Sequence, residues 1–428
     1  MIKRLFAVLL AVAALCACGK EETPGGGGGE DVGGGGSENQ PGGDEVVTPP
    51  EYFSTDFMKG ATMCFAQYMA DAGLKYRENG AEKDPYASMK AHGANIVRLQ
   101  LNFEDFKTYN GATIDWASWR RVLADAKKAY ANGLDVLLTL KPDADDYSKQ
   151  TTDHNLVPAA WKSLTAESKL GDALYDWVYK VLCDLAAEGI YPRVVAVGNE
   201  VSVGFLRPDG SAAADAGRTG RLLKRGFEAV DAYAAKYNPN VKTLLHVDNP
   251  RNMQWFISQV TAAGCTGFDI VGSSWYPGTN IGHTMGSGSY ATFGGICSAL
   301  KTQGYDFMIL ETAHSFTTGT VDGKWMGDNC NNSYNYPDWS DDATNAVNYT
   351  PAAQRKWLGE LAAEIKAGGG AGLVTWGTES LPSTGVSKTV YTYPASWAAG
   401  STWENNSYWD FTDSNNLHEG IDWMQDVQ

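Results

Sequence analysis

The sequence predicts a (β/α)8 TIM barrel with long loops after its strands. Eight short apolar runs alternate with amphipathic, helix-like stretches, which is the pattern of a closed parallel barrel. Of the 428 residues, about 378 (428 minus 50) follow position 50, a length that suits one barrel with insertions. Glu200 and Glu311 each end one of the apolar runs. Such charges are unusual in a plain core, whereas the C-terminal strand ends of a barrel are where active sites are built.

The predicted strands are short apolar runs whose residues fit a buried parallel sheet. They are residues 60–65, 95–101, 135–140, 194–199, 243–247, 270–274, 307–310 and 372–376. Helices are predicted between them, among others at 117–131, 171–188, 222–236 and 352–367. An open doubly wound sheet is the alternative. Such a fold would be expected to have a glycine-rich phosphate loop after its first strand, and residues 61–65 contain none.

The first 18 residues are predicted to be a lipoprotein signal peptide. A lysine and an arginine precede an apolar stretch at 5–15 that is too short to span a bilayer as a stable helix. Residues 15–18 resemble a bacterial lipobox with Cys18 as the acylated residue, and the alternative is an ordinary signal with a chance cysteine. The lysine and two acids that follow resemble the export signal of Bacteroidetes surface lipoproteins. We therefore expect a lipid-anchored protein on the bacterial outer membrane, exposed at the cell surface.

Residues 19–50 are predicted to be a flexible linker, and residues 51–428 the folded domain. The linker contains two glycine runs, at 25–29 and 33–36, separated by polar residues and proline. This composition cannot bury enough apolar surface to fold.

Charge and cysteine content narrow the choice of partners. The net charge of −16 argues against nucleic acid and against an anionic polymer, and favours a neutral substrate. Two of the seven cysteines belong to the export segment, and the other five have no metal-ligand spacing. A Cys297–Cys330 disulfide is an option. We expect a monomer.

Two carboxyl groups at strand ends are the smallest set of catalytic groups that glycoside hydrolysis requires. One carboxyl group must protonate the leaving oxygen, and the other must attack the anomeric carbon. Glu200 follows Asn199 on the fourth predicted strand, and Glu311 ends the seventh. The alternative for either glutamate alone is a salt-bridged carboxylate at a strand end.

Further polar and aromatic residues fall on the same predicted rim and are our candidates for substrate binding. Arg98 is predicted to end the second strand and to pair with Glu311 through a charge-assisted hydrogen bond. Tyr276, after strand six, is predicted to contact the nucleophile. Trp376, at the end of strand eight, is predicted to form an aromatic platform beneath the reacting sugar. The full set is Arg98, Asn199, His246, Asp248, Tyr276 and Trp376.

Three irregular segments between the predicted elements are long, and two are rich in aromatic residues. They run over residues 141–166, 314–349 and 379–408. Long aromatic loops at a barrel mouth are more often functional than accidental. Trp325, Trp339 and Trp397 are the candidates for flanking sugar subsites.

Several stretches together resemble the arabinogalactan endo-β-1,4-galactanase family, glycoside hydrolase family 53. They lie within residues 58–425, at 74–80, 84–95, 97–99, 149–150, 158–161, 197–200, 246–249, 275–277 and 310–312. The resemblance implies that Glu200 is the acid/base, Glu311 is the nucleophile, and galactan is the polysaccharide partner. It implies no required cofactor.

Some positions depart from the family pattern. Lys141 stands where the family usually has a histidine after strand three, and residues 376–379 lack the usual Glu-Pro. Bacterial members often bind a structural calcium ion in the loop after strand seven. Here Asp322 and Asp328 are the only partial match, so calcium is an option rather than a requirement.

The resulting expectation is a retaining endo-β-1,4-galactanase that acts on the galactan side chains of pectin. One alternative is another retaining endoglycanase of the same clan, acting on mannan or glucan. The motifs at 75–80 and 84–95 favour galactan over it. The other alternative is a non-catalytic glycan-binding lipoprotein, and the presence of both glutamates with Asn199, Arg98 and Trp376 argues against it.

Overall fold

The computed structural model describes residues 51–427, apart from 106, 110–111, 147–152, 209–214, 279–281, 322–347 and 383–402. The signal peptide, the Cys18 lipobox and the linker lie outside these residues, so they stay predictions. The same holds for Asp322, Asp328, Cys330 and the loop residues Trp325, Trp339 and Trp397.

The described chain forms a closed barrel of eight parallel strands, which confirms the predicted fold class. The first strand pairs with both the second and the eighth, and this pairing closes the ring. The strands β1 to β8 are, in order, Met58–Thr62, Ile96–Asn102, Asp135–Lys141, Val194–Val197, Lys242–Val247, Ile270–Ser274, Asp306–Glu311 and Gly372–Thr375. All eight predicted strands are present, with shifts of up to three residues at their ends.

Helices surround the barrel and connect its strands. In chain order α1 to α9 are Ala66–Asp71, Pro85–Ala91, Trp119–Ala131, Glu167–Ala187, Ala216–Lys236, Pro250–Ala262, Phe293–Gln303, Pro351–Ala367 and Trp423–Asp426. Three of them, α2, α6 and α8, begin with a capping side chain followed by proline. Proline suits the first helical turn, where its missing N–H would have no partner in the helix.

Additional short strands lie outside the barrel, in the segments that connect its main elements. Part of the motif at 74–80, the strand Arg77–Glu78, belongs to a four-stranded sheet that joins the segment between α1 and α2 to the C-terminal segment. This sheet contains Arg77–Glu78, Ala81–Glu82, Trp409–Asp410 and Asn416–Leu417, and separate hairpins pair Lys107–Tyr109 with Ala112–Ile114 and Ala144–Asp146 with Asp153–Leu156. Among the described helices, none combines the length and the apolar character needed to cross a membrane.

The barrel interior changes from apolar to polar along the strands. Its lower layer is a separate apolar cluster that includes Ile96, Leu137, Leu244 and Ile270. Side chains two residues apart on a strand point to the same face. The next inward positions on β2, β3 and β5 are polar, and they are Arg98, Thr139 and His246. On β6 the polar inward residue is Ser274, two inward positions after Ile270. This parity places a polar layer directly beneath the C-terminal mouth of the barrel.

Candidate active site

Glu311 points into the barrel because β7 contains a register shift. Ser273 on β6 pairs with Ile309, whereas Ser274 pairs with Glu311, so Leu310 is an extra residue on β7. A bulge of this kind changes which face the next side chain occupies, and bulges often re-aim side chains beside active sites. The bulge therefore brings a carboxylate to the inner face, where strict alternation from Met308 would have turned it outward.

Two buried side chains hold the Glu311 carboxylate. Arg98 donates from Nη1 to Oε1 of Glu311 at 2.5 Å, and the Tyr276 hydroxyl donates to Oε2 at 3.4 Å. Burial raises the pKa of Tyr276 well above its usual range, and the charges of Glu311 and Glu200 add to this effect. The hydroxyl therefore stays protonated and remains a donor. Arg98 lies in the middle of β2 rather than at its end, which corrects the predicted boundary.

Arg98 also connects the two glutamates' strands. Its Nη2 donates to Oδ1 of Asn199 at 2.7 Å, and its Nε donates to Thr139 at 3.0 Å. One buried guanidinium thus holds the nucleophile candidate and the residue before Glu200 in a fixed geometry. A planar guanidinium with several fixed donors suits this task better than a lysine would.

Glu200 has a left-handed backbone conformation, with φ 49° and ψ 48°. The predicted strand to 199 ends instead at Val197, and Gly198 follows with φ 83°. A Cβ atom on Gly198 would lie 2.3 Å from Cγ1 of Val201, so only glycine fits this turn. Non-glycine residues with such φ values are uncommon and cluster at functional sites. The turn directs Glu200 toward β5 and β6.

Ser274 and His246 contact Glu200. The Ser274 hydroxyl donates to Oε1 of Glu200 at 2.6 Å, and the backbone N–H of Glu200 donates to Nδ1 of His246 at 3.1 Å. Burial raises the pKa of Glu200 to about 8, and the nearby negative charges of Glu311 and Asp248 contribute to the rise. A carboxyl group that stays protonated at neutral pH can act as a general acid.

His246 and Asp248 have structural partners rather than the free groups that a direct sugar contact would use. His246 is 0% exposed, and its Nε2 lies 3.0 Å from Oγ of Ser274 while Nδ1 accepts from Glu200. Asp248 accepts hydrogen bonds from Ser202 and from Nδ2 of Asn252. The structure therefore gives His246 a role in holding Glu200, and substrate contact by His246 and Asp248 stays a prediction.

Trp376 lies directly after β8, one residue beyond the end of the strand, and is 8% exposed. Its ring packs over the Arg98 guanidinium at 5.6 Å and meets the edge of Phe65 at 5.9 Å between ring centroids. Arg98 thus contacts both Trp376 and Glu311, which places the indole near the two-glutamate centre. This position suits the predicted aromatic platform for the reacting sugar.

Lys141, predicted to stand where the resembled family has a histidine, is buried at the end of β3. Its ammonium group forms an ion pair with Asp143 and lies 3.4 Å from Oδ1 of Asn155. Asn155 has a left-handed backbone with φ 60°. The positive charge of Lys141 is therefore balanced by a carboxylate two residues further along the chain.

Two residues of this region escaped the sequence analysis. Ser274 is the second of two serines that end β6, and a pair of hydroxyls ending a buried strand was the available signal. Glu379, four residues after β8, is 0% exposed and accepts from the backbone N–H of Phe65 at 3.3 Å. Its other carboxyl oxygen has no hydrogen-bond partner among the described residues.

We predict that Glu379→Gln makes thermal stability less dependent on pH. Burial raises the pKa of Glu379 to about 8, above the value of about 4.3 in an unfolded chain. Folding then takes up a proton, so the free energy of unfolding falls as pH rises through this window, by at most about 1.4 kcal/mol per unit. Glutamine cannot ionise.

The measurement is Tm between pH 5 and pH 8.5. The decline should be shallower in Glu379→Gln than in the wild type, with a residual slope from Glu200. Equal slopes would show that Glu379 does not stay protonated in the folded protein.

The described residues contain no cluster of metal ligands. Among those residues, no group of three or more His, Cys, Asp or Glu side chains is arranged to hold an ion. The two aspartates suggested for calcium, Asp322 and Asp328, fall outside the described part of the chain.

The chain has relatives of known family along most of its length. The model of glycosyl hydrolase family 53 matches residues 58–422. An arabinogalactan endo-beta-1,4-galactanase of Cellvibrio japonicus is 27% identical over 370 residues, or 85% of this chain and 89% of that protein. An endo-beta-1,4-galactanase of Bacillus subtilis is 27% identical over 286 residues, or 64% of this chain and 60% of that protein.

Comparison with solved structures leads to the same family and fold. The GH53 catalytic domain of Ignisphaera aggregans superimposes with a TM-score of 0.66 at 25% identity, covering 89% of this chain and 99% of that domain. A fungal beta-1,4-galactanase has a TM-score of 0.63 at 20% identity, over 86% of this chain and 98% of its own, and shows the fold alone. With the family model matching nearly the whole folded part, this chain belongs to glycosyl hydrolase family 53 and is a glycoside hydrolase.

Proposed function

We propose that this protein is a retaining endo-β-1,4-galactanase that hydrolyses the galactan side chains of pectin, known as type I arabinogalactan. The observation that carries the proposal is the presence of two glutamates at the mouth of the barrel, Glu311 bound by Arg98 and Glu200 bound by Ser274. Burial raises the pKa of Glu200, which suits the acid role. The named activities of the Cellvibrio and Bacillus relatives support galactan as the substrate.

The proposed reaction has two steps. Glu311 attacks the anomeric carbon, and the proton of Glu200 passes to the leaving oxygen as the glycosidic bond breaks. Glu200, now ionised, removes a proton from water, and the resulting hydroxide attacks the same carbon and releases Glu311. Arg98 and Tyr276 keep the nucleophile aligned throughout. Each step inverts the anomeric carbon, so the product retains its configuration.

Substrate class and stereochemistry can be tested together. Purified protein should cleave galactan faster than mannan or β-glucan, and should release a range of oligosaccharides early in the reaction. Proton NMR of the first product should show the β-anomer before mutarotation. Equal rates on mannan or β-glucan, release of single galactose units only, or an initial α-anomer would each contradict one part of the proposal.

We predict that Glu311→Gln lowers the pKa of Glu200. The negative charge of Glu311 disfavours ionisation of its neighbour, and glutamine removes that charge while keeping its size. The Glu200 carboxyl signal can be titrated by carbon-13 NMR in this variant and in the wild type. In active enzyme, Glu200 should set the loss of activity at high pH, because the acid must be protonated. An unchanged pKa would show that the two groups do not interact.

We also propose that the protein is a monomer anchored on the outer membrane through Cys18, with residues 19–50 as a tether. The prediction is that Cys18→Ala is released from the membrane fraction or left unprocessed, because the acylated side chain is gone. Fractionation and metabolic labelling with a fatty acid measure this. Cys16→Ala is the matched control, since Cys16 lies two residues before Cys18 and is not the predicted acylation site. A membrane-bound, normally processed Cys18→Ala protein would exclude the anchor.

A further inference from the structure

Three polar groups form a closed set of hydrogen bonds around Glu200. The Glu200 backbone N–H contacts Nδ1 of His246 at 3.1 Å, and Nε2 of His246 contacts Oγ of Ser274 at 3.0 Å. The Ser274 hydroxyl contacts Oε1 of Glu200 at 2.6 Å. His246 and Ser274 are fully buried, so water does not compete for these groups.

Each hydrogen bond in this set has only one direction. A backbone N–H can only donate, so Nδ1 of His246 must be the acceptor and carries no proton. Burial lowers the pKa of His246 well below its usual range, and the positive charge of Arg98 and the neighbouring His283 add to this, so the ring is neutral. A neutral ring without a proton on Nδ1 carries it on Nε2. That N–H donates to Ser274, whose own hydroxyl hydrogen is then free to point at Oε1 of Glu200.

We infer that Ser274, oriented by His246, is a positioning residue that reserves Oε1 of Glu200 as an acceptor and leaves Oε2 to carry the catalytic proton. The inference rests on the proposed function and deepens it. In the first step Oε2 gives its proton to the leaving oxygen, and in the second Oε2 takes one from water. Ser274 keeps the same hydrogen bond in both protonation states, so the carboxyl group need not rotate between steps.

The test is Ser274→Ala, with Ser273→Ala as the matched control. Ser273 is the preceding buried serine, and its hydroxyl donates to the backbone oxygen of Ser274 rather than to Glu200. Ser274→Ala should lower kcat/KM on galactan by roughly 10- to 100-fold. It should lower kcat/KM much less on an aryl β-galactobioside with a good leaving group, because little protonation is then needed. Ser273→Ala should show no such difference between substrates.

The pH profile gives a second readout that a purely structural role would not change. The Ser274 hydrogen bond favours the ionised form of Glu200, against burial and the charges of Glu311 and Asp248, while Arg98 acts in the same sense as Ser274. Ser274→Ala should therefore move the high-pH limit of activity upward by roughly one pH unit. Equal losses on both substrates together with an unmoved limit would overturn the inference.

A measurement on the intact wild-type enzyme covers the case in which the variant does not fold. Nitrogen-15 NMR should show His246 as the tautomer protonated on Nε2 at neutral pH. A proton on Nδ1, or on both nitrogens, would overturn the inference. Neither result bears on whether galactan is cleaved, so a failure here is distinct from a failure of the proposed function.

A separate cavity beside the catalytic rim carries a second proposal. It has a volume of about 360 Å³ and lies between the start of α6 and the loop after β6, lined by Arg251, Gln254, Trp255, Met285, Ser287 and Tyr290. Trp255 is 49% exposed, one of only four large hydrophobic side chains with such exposure among the described residues. A cavity of this size is within the range of small-ligand sites.

The cavity combines the groups that recognise a neutral sugar. Arg251 and Trp255 are four residues apart on α6, so they share one face of the helix. An indole face can stack on the C–H face of a galactose ring, while guanidinium and amide groups donate to its hydroxyls. The site is tied to the catalytic loop, because the N–H of Arg251 donates to Thr284, and the N–H of the adjacent His283 donates to the backbone oxygen of Tyr276.

We propose that this cavity binds a galactan chain outside the two-glutamate centre and holds the polymer near the mouth of the barrel. This, too, rests on the proposed function. The net charge of −16 favours a neutral polysaccharide over the acidic pectin backbone.

Affinity electrophoresis in gels containing soluble galactan tests the proposal, with Glu311→Gln present in every protein so that the polymer is not consumed. Trp255→Ala should weaken retention by roughly tenfold in affinity. Phe53→Ala is the matched control, since Phe53 is 47% exposed but packs on Tyr130 of α3. Equal retention of the two variants, or retention by polygalacturonate and not by galactan, would overturn this proposal while leaving hydrolysis to be judged separately.

Discussion

Glu311→Ala is expected to remove turnover of every substrate while galactan oligosaccharides still bind. In the described part of the chain, Glu311 is the carboxylate that contacts Arg98. Without a nucleophile the covalent intermediate cannot form, and a good leaving group cannot compensate. By analogy with other covalent catalysts, we expect a loss in kcat on the order of 10⁴-fold or more.

Stability has to be separated from chemistry in this experiment. Arg98 is 0% exposed, and alanine would leave its guanidinium buried without its carboxylate partner. Breaking a buried ion pair from one side commonly costs about 3–5 kcal/mol. Glu311→Gln keeps an oxygen acceptor for Arg98, so it should fold better and be equally inactive. Tm, calorimetric binding of galactotetraose and kcat should be measured for both variants. Measurable turnover of any substrate by well-folded Glu311→Gln would exclude the nucleophile role.

The barrel could be predicted because its strands are short apolar runs in a regular alternation with helices. The same reasoning placed Glu200, Glu311, Tyr276 and Trp376 near one rim, since parallel strands end on the same side. Pairing of Arg98 with Glu311, predicted from the sequence, is present at 2.5 Å. These features follow from the alternation of side chains along each strand and from the order of the strands. Both can be read directly from the sequence.

The orientation of the glutamates could not be predicted in this way. Glu311 faces inward through an extra residue in β7, and Glu200 does so through a left-handed turn after Gly198. Neither a parallel bulge nor a non-glycine residue at positive φ has a reliable local signal, because both depend on partners distant in sequence. The protein contacts of His246 could not be predicted for a related reason. The sequence pattern of an inward-facing polar residue does not distinguish one that binds a sugar from one that binds another side chain.

Glu200→Ala is expected to reduce kcat/KM on galactan by about 10²- to 10⁴-fold, the usual contribution of a general acid. The loss should shrink for aryl β-galactobiosides as the leaving group becomes a weaker base, because such a group departs without protonation. Glu311→Ala should show no such recovery. This contrast assigns the two roles without relying on the size of either effect.

The second half of the reaction gives a sharper test of the same residue. With an activated substrate, Glu200→Ala can still form the glycosyl-enzyme intermediate, but no base remains to activate water. Azide needs no deprotonation, and the vacated side chain leaves space beside Ser274 for the anion. Azide should therefore restore turnover and yield a β-galactosyl azide, because attack on the intermediate inverts the carbon a second time. An α-azide would mean a single displacement. No rescue, together with equal losses on all leaving groups, would show that Glu200 supports the site without transferring the proton.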